Sequence, residues 1–600
     1  MTRLAAGVFA ALVVATFAAF LVAQRLKSTP SVVQRIMGAR VFSPNQDSRF
    51  DRMRVSFALT KDDEIRAAVV DEDGEVVATI AEDLKCTAWR QQRVSWDGRT
   101  DDGRRAPDGR YRIRLTLERQ GRVVTLRRTI RLDTTPPRPR VVDIGPEERD
   151  GPELLPRRDG APAEIRFRAP GRRVEVEVWR TDRGPRLVRT LDPGEIADGI
   201  GTTTWDGTSP DGRRLAPGTF AVVVRSRDRA GNIGSNAPRP FRLRRGLRLP
   251  GRAGISIRYL AVQPPVLPVG GGRTVEVGVD SRGAAWNWTL RRVGSPLPSR
   301  RGRHSSGGSF RVRPPNGKSG LFLYEVRTRT RFARVPLAVD DRKDNRVLVV
   351  LPATTWQGRN PIDDDGDGLP NTLDLGGPVR LSRVFARDGM PAGMTENEGP
   401  LLAHLDRAGL RYDLTTDVAL AVGRGPQLEG HRGVLLAGDA VWLTGDVRRR
   451  LRAFAAARDH TVVSLGTDSL RREVEQTQDA LVRPTEPERS DLFGARLAPV
   501  RDREVDLSIL EDDPALQLFA GGEGLFAGVE RWEPTASIGR EARALSTAVA
   551  PPDNTPVIVA VRYGQGLVIR TGIPGFATRL SSDVESQELL GRMWTLLNTG

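Results

Sequence analysis

Hydrophobic and polar positions alternate with a period of two through most of residues 50–340, as in Val55-Ser-Phe57-Ala-Leu59, Ile113-Arg-Leu115-Thr-Leu117 and Val174-Glu-Val176-Glu-Val178. Successive strand side chains point to opposite faces, so this pattern predicts antiparallel sandwiches with one face buried and one wet. Two other patterns flank it. Leu4 to Ala23 is an apolar or weakly polar run of about 20 residues, long enough to cross a bilayer as a helix. Arg3 precedes it, Arg25 and Lys27 follow, and no small-x-small cleavage site precedes Gln24, so an uncleaved anchor is expected over a signal peptide. From Arg346 the period changes. Val347 to Leu351 is continuously apolar, the mark of a strand buried on both faces. Helical spacing follows at 398–408 and at 444–457, where Val447, Leu451, Phe454 and Ala455 share a face and Thr444 is the N-cap. Apolar strands at 434–436 and 462–465, a hairpin around Tyr563-Gly-Gln-Gly566 and a helix at 584–597 complete the series. Strand and helix alternation predicts a doubly wound α/β domain.

One block of the alternating region occurs twice. WDGRTDDGRRAPDGRY begins at Trp96 and WDGTSPDGRRLAPGTF at Trp205, with their Trp, Asp-Gly, Asp-Gly-Arg-Arg, Pro, Gly and aromatic positions in register. The recurrence means one sandwich-sized module duplicated. The Asp-Gly pairs at 97–98, 102–103, 206–207 and 211–212 supply tight turns. Pro107 and Pro217 stiffen the entry to strands at Tyr111 and Phe220, and Trp96 and Trp205 are expected to cap the cores. This motif, with the opening Phe42-Ser43-Pro44-Asn45, resembles the Ig-like domain of the flagellar hook-capping (FlgD) type over roughly residues 40–135 and 160–245. The resemblance implies spacing or adhesion rather than catalysis. Asp133-Thr-Thr-Pro-Pro137 and a proline-rich stretch near 236–250 read as linkers. A third, divergent sandwich is expected from about 250 to 340, with Trp286 and Trp288 on one strand face and Arg300 to Gly308 as a solvated basic loop.

The C-terminal part carries a second resemblance. LVVLPATTWQGRN (348–360), an acidic Gly/Pro loop and LLAHLDRAGLRYDLTTDVAL (401–420) resemble the C-terminal domain of the N,N-dimethylformamidase large (beta) subunit, over about residues 346–600. The resemblance implies a class I glutamine-amidotransferase-like fold, amide hydrolysis, and an iron held by tyrosine and glutamate. In such a fold the site lies beyond the carboxyl ends of the strands. The turn there is Gly438-Asp439-Ala440-Val441-Trp442, with Val441 where the family has tyrosine and no cysteine nucleophile anywhere in the domain. Asp439, Trp442 and Asp468 remain as candidates for an altered site. A serine mechanism at Ser464 lacks a base, because His431 and His460 precede their strands and His404 lies within a helix.

The acidic loop has its own chemistry. Asp363, Asp365, Asp367, Gly368, Asn371 and Asp374 fall at positions 1, 3, 5, 6, 9 and 12 of a calcium-loop template, with the Leu369 carbonyl at position seven. It resembles dockerin and thrombospondin type 3 loops, and a structural Ca²⁺ is expected on these residues; the alternative is a solvated acidic linker. No iron or other transition metal is expected.

Composition changes the picture only in part. Cys86 is the single cysteine, which excludes an intramolecular disulfide, and four histidines form no zinc spacing. The formal charge is +18, carried by arginines spread among acids without the interleaved aromatics of a single-strand platform, so no nucleic-acid partner is expected. The expected domains are an anchor (1–27), FlgD-type Ig-like domains (31–139 and 140–245), a divergent sandwich (246–343) and an amidotransferase-like α/β head (344–600). The expected protein is held at the cell membrane with its bulk outside the cytoplasm, and its head binds an envelope or surface ligand without catalysis. A metal-dependent amide hydrolase with an altered site is the alternative.

Overall fold

The alternating segments pair into antiparallel sheets, two to a sandwich. The computed structural model describes all residues except 1, 28–30, 48, 146–150, 342–343, 540–541 and 600; within the first helix it describes side chains from Gly7 to Val22. The boundary expected at 343 thus falls on residues outside that description. Two compact units emerge: residues 1–139 with 169–174 and 225–235, and the remainder of the chain.

In the first unit, Thr2–Lys27 is helical. Its described side chains, including Val8, Phe9, Leu12, Phe17 and Phe20, are exposed. Among the described residues no helix is long and apolar enough to cross a membrane. The sandwich that follows packs Val33–Gly38, Met53–Leu59 and Gln91–Trp96 against a sheet centred on Asp63–Val70 and Gly109–Leu117. Trp96 lies edge-on to Tyr111 at 4.9 Å, and its indole N–H donates to the Arg99 carbonyl at 2.7 Å.

The second unit contains a sandwich with the same device. Trp205 lies edge-on to Phe220 at 5.4 Å and donates to the Thr208 carbonyl at 2.9 Å. The duplicated tryptophan therefore caps the core and pins the following Asp-Gly turn in both copies, where Gly98 and Gly207 take φ +79° and +83°. This sandwich draws a strand from Gly254–Ile257, past the boundary expected at 245, because it pairs with Glu153–Leu155 and with Gly218–Ala221. The third sandwich pairs Ala261–Gln263, Val275–Asp280 and Gly308–Val312 in one sheet, and Val269–Gly270, Phe332–Asp340, Gly320–Arg327, Trp286–Arg292 and Arg300–His304 in the other. The segment expected as a loop is thus an edge strand over Arg300–His304, held by its backbone ladder to Trp286–Leu290.

The head is built on a nine-stranded sheet. Asp413–Thr416, Val347–Leu351, Gly433–Leu436, Thr461–Ser464 and Gly566–Arg570 run parallel, in that order. Thr555–Tyr563, Ala542–Ala550, Arg501–Glu511 and Leu525–Trp532 extend it antiparallel. Val347, Val349 and Leu351 enter one core with the helices Glu398–Arg407 and Val584–Thr599, while Leu348 and Val350 enter another with Gly445–Ala456. That double burial is why the strand has no polar position. The doubly wound expectation holds for the five parallel strands, and the antiparallel half is an addition to it.

The acidic loop after the first head strand lies on the second sandwich. The Gly254 N–H donates to the Gly366 carbonyl at 2.8 Å, and the Thr181 and Thr219 hydroxyls donate to the carbonyls of Gly368 at 2.7 Å and Pro361 at 3.0 Å. A Cβ on Gly254 would lie 2.7 Å from the Gly366 oxygen and overlap the Asp363 carboxylate. Gly254→Ala is therefore expected to lower stability by about 1–3 kcal/mol through overpacking, read as a lowered midpoint in urea unfolding.

Candidate functional site

Short loops after the parallel strands form the edge where a site is expected. After Leu351 the chain turns into the helix Ala353–Gly358, all six residues of which are buried. The Thr355-Trp356-Gln357 mark is thus a packed turn of helix. Its Thr355 hydroxyl accepts the Val441 N–H at 3.0 Å, which ties it to the loop after Gly433–Leu436. In that loop Asp439 accepts the Thr467 N–H at 2.8 Å. Burial raises the Asp439 carboxyl above the usual range, against the Thr467 bonds and the Arg359 charge. The next loop is pressed against it: a Cβ on Gly466 would lie 2.6 Å from the Asp439 Cα.

Trp442 is fully buried, with the guanidinium carbons of Arg359 and Arg472 at 5.6 and 5.1 Å from its ring centre. Asp468 pairs with Arg359 at 3.3 Å, Arg471 at 3.4 Å and Arg472 at 3.1 Å. The three candidates expected at this edge, Asp439, Trp442 and Asp468, therefore do meet there. They meet as members of a bonded network. Ser464 is buried, His431 faces Asp413 at 3.2 Å, and His460 lies by the Arg458 carbonyl at 3.0 Å, both at the amino ends of the strands.

Two acids were missed. Glu398 opens the helix Glu398–Arg407 and is 2 % exposed. One of its oxygens rests against Gly438, and the Trp356 side chain faces its carboxyl. Burial, with a contribution from the Asp439 charge, lifts the Glu398 carboxyl to about 8. Asp417 accepts the Thr354 N–H at 2.9 Å and the Val418 N–H at 2.8 Å, and burial lifts it to about 7. An acid in the first turn of a helix looks like an ordinary dipole partner, so no sequence signal marked either one.

The iron that the family resemblance implies does not fit these residues. Val441, where tyrosine is expected, is buried. The head's tyrosines stand at the opposite edge: Tyr412 precedes the strand Asp413–Thr416 and donates to Asp406 at 2.9 Å, and Tyr563 closes the hairpin opposite Gly566. No phenolate reaches the carboxyl ends.

The acidic loop gathers part of its expected ligand set. Single carboxylate oxygens of Asp363, Asp365 and Asp367 all lie within 4.8 Å of one another. Asp363 accepts the N–H groups of Gly366 at 2.7 Å and Gly368 at 2.9 Å, Asp367 accepts that of Leu369 at 2.8 Å, and Asp365 pairs with Arg248. Burial and the Asp367 charge push Asp363 well up, and burial with the Asp365 charge pushes Asp367 to about 6. The other two side chains point elsewhere. Asn371 accepts the Asp364 N–H at 2.6 Å, and Asp374 pairs with Arg472 at 2.8 Å.

Arg383 holds loop and helix together. Its guanidinium, 6 % exposed as a residue, donates to the carbonyls of Gln357 at 2.6 Å, Asn360 at 2.9 Å and Asn371 at 3.1 Å, and pairs with Asp364 at 2.8 Å.

Residues 307–488 match the family described as N,N-dimethylformamidase beta subunit-like, C-terminal, and residues 45–121 and 153–230 match the FlgD Ig-like domain. The chain joins FlgD-type Ig-like modules to a formamidase beta-like domain. The formamidase-like match begins in the third sandwich and stops before Arg501–Glu511, so the antiparallel half of the head lies outside it. Basal-body rod modification protein FlgD of Salmonella typhimurium is 33 % identical over 63 residues, 10 % of this chain and 26 % of that protein. FlgD of Escherichia coli strain K12 is 38 % identical over 50 residues, 8 % of this chain and 22 % of that protein. The chain thus spans about a quarter of the length of these curated relatives. Among solved structures, the exo-beta-1,4-mannosidase Op5Man5 from Opitutaceae bacterium strain TAV5 aligns at 12 % identity and TM-score 0.25, over 42 % of this chain and 36 % of that one. A C-terminal intimin fragment aligns at 8 % identity and TM-score 0.19, over 34 % of this chain and 62 % of that one. Scores this low carry no argument.

Two outcomes follow from the geometry of the head. The folded chain keeps a proton on Glu398 up to about pH 8, whereas a solvated glutamate releases it near 4.5. Stability from this group is full below pH 4.5 and falls as pH rises through 8. Glu398→Gln is expected to flatten that fall, seen as a melting-temperature advantage over the parent that grows between about pH 5 and pH 9. Arg383→Met leaves the buried Asp364 carboxylate without its guanidinium and removes a bond from each of three carbonyls, and is expected to cost about 3–5 kcal/mol in chemical denaturation.

Proposed function

We propose that this is an exported envelope or surface protein, held at a membrane by its N-terminal helix, in which FlgD-type modules space a formamidase-like head that binds a ligand without turning it over. The observation that carries the non-catalytic reading is the state of the parallel-strand edge. Asp439 and Asp468 are engaged by Thr467 and by three arginines, Trp442 is buried beneath two guanidiniums, and a buried valine stands where the family has tyrosine. A general base or metal ligand needs a free lone pair facing substrate; Asp468 gives its carboxylate to three arginines, and Thr467 holds one oxygen of Asp439. What favours the alternative, a metal-dependent amide hydrolase, is the pair of buried acids Glu398 and Asp439 at the same edge. Purified full chain is expected to show no turnover of formamide or N,N-dimethylformamide, with or without added Fe²⁺ or Zn²⁺. Turnover lost in Asp439→Asn would establish the hydrolase instead.

The membrane reading is supported by the exposed apolar side chains of Thr2–Lys27, among them Phe9, Leu12, Phe17 and Phe20. The full chain is expected to stay in the membrane pellet after alkaline carbonate extraction, and a chain lacking residues 2–27 to leave it.

The acidic loop is proposed as a structural Ca²⁺ site on Asp363, Asp365 and Asp367, with the Leu369 carbonyl; Asn371 and Asp374 join only by leaving their present partners. Hard oxygen donors at alternate positions suit calcium, and a divalent ion relieves the repulsion that raises Asp363 and Asp367. At a concentration of 100 Kd it stabilises the fold by about 2.7 kcal/mol. Calorimetry on the full chain is expected to show calcium binding that is lost in Asp367→Asn. A flat titration of the parent, with no thermal shift, removes the site.

A further inference from the structure

We infer that the third sandwich binds a linear phosphate-bearing polyanion along the edge formed by Arg300–His304 and Gly308–Val312. The first observation is charge density. Residues 281–340 contain 13 Lys or Arg and two acids, a net +11 of the chain's +18 in a tenth of its length. The basic character is therefore concentrated here, contrary to the even spread expected above. The second is placement. In the five-stranded sheet, Arg301 and Arg303 face outward from the edge strand, opposite Thr289 and Asn287. Arg327 lies in the same row beyond Asn287, and Glu325 is the one acid of that part of the face. On the other sheet, Arg311 and Arg313 face outward from the edge strand Gly308–Val312 and its continuation, while Phe310 and Val312 turn toward the core.

The third observation is pairing. Among the described residues Arg301, Arg303 and Arg311 are exposed and make no ion pair, with Glu276 opposite Arg311 on the ladder; in the first sandwich Arg66 and Arg131 are matched by Glu82 and Asp133, and Arg112, Arg119, Arg122 and Arg127 are exposed and unmatched. Arg301 and Arg303 project from the same face of one strand, two residues apart, and their like charges repel. An anionic ligand removes that cost.

Guanidinium geometry selects phosphate, which it can hold through two parallel N–H donors. Arg301 and Arg303, and likewise Arg311 and Arg313, are two residues apart on a strand, about 7 Å. The two pairs project from opposite outer faces and wrap one sandwich edge. A planar bilayer can meet one such face at a time, while a flexible chain can follow both. That favours a linear polymer over a lipid surface. This inference does not depend on whether the head is catalytic.

The probe is end-labelled long-chain inorganic polyphosphate, titrated with purified full chain and read by fluorescence anisotropy. Binding is expected in 50 mM NaCl and is expected to weaken at least tenfold by 200 mM, as counterion release requires. The variant R301Q/R303Q/R311Q/R313Q is expected to weaken binding at least tenfold. R112Q/R119Q/R122Q/R127Q, an equal charge removed from exposed positions of the first sandwich, is expected to stay within about twofold. In the unmutated chain, polyphosphate is expected to protect Arg301 and Arg303 from phenylglyoxal, a readout that needs no variant to fold. Four results overturn the inference: no binding at 50 mM NaCl, equal loss in both variants, tighter binding to phosphatidylglycerol vesicles, or tighter binding to a single-stranded oligonucleotide of matched charge.

Discussion

A buried guanidinium organises the junction on which the head's first strand depends. Arg383 takes the carbonyls at the end of the helix Ala353–Gly358 and those of the loop after it, and pairs with Asp364 inside the acidic stretch. The Gln357 and Asn360 carbonyls also accept the backbone N–H groups of Asn360 and Ile362, so the guanidinium bonds them a second time, and it adds a bond to the Asn371 carbonyl. One five-donor side chain reaches all three at once. With the loop held from the head side by Arg383 and from the second sandwich by Gly254, Thr181 and Thr219, its three aspartates are forced together. The raised carboxyls of Asp363 and Asp367 are a consequence of burial and of that confinement.

The same economy of space closes the edge where a relative would be expected to do chemistry. Gly438 and Gly466 let two strand-end loops approach until no side chain fits between them, and Glu398 fills the remaining room over Gly438. Around this seal the charges are arranged as matched networks: Asp468 with three arginines, Asp374 with Arg472, Glu533 with Arg570. Matched ion networks hold geometry and offer little to a substrate. The third sandwich shows the opposite condition, with guanidiniums in water and few acids to meet them. Within the second unit the head edge is therefore closed and bonded, and the sandwich edge is open and charged.

Much of the fold was legible because local rules and tertiary packing agreed. The period-two segments became sandwich strands, the Thr444 cap and its apolar face became the helix Gly445–Ala456, and the run at 347–351 became a central strand. Where they disagreed, packing won. Arg300–His304 has loop composition, yet a neighbouring strand offered a complete backbone ladder. Asp374 holds a calcium-template position but lies by Arg472, a partner 98 residues away that no spacing rule identifies. Glu398 carries no signal at all, because its burial is produced by Gly438 and Trp356 arriving from separate elements.

The amino-acid sequence by itself determined the element types, the duplicated tryptophan-capped module, the two family resemblances and the acidic loop, since each depends on spacings within a few tens of residues. It also contained the concentration of arginine in residues 281–340, visible only when charge is counted by segment. Tertiary structure alone decided which carboxylates are desolvated, which arginines are matched, and that the candidates Asp439, Trp442 and Asp468 meet in a sealed network. The reason is physical. Burial and ion pairing depend on distances between residues far apart in the chain, and those distances exist only after the strands have chosen their neighbours.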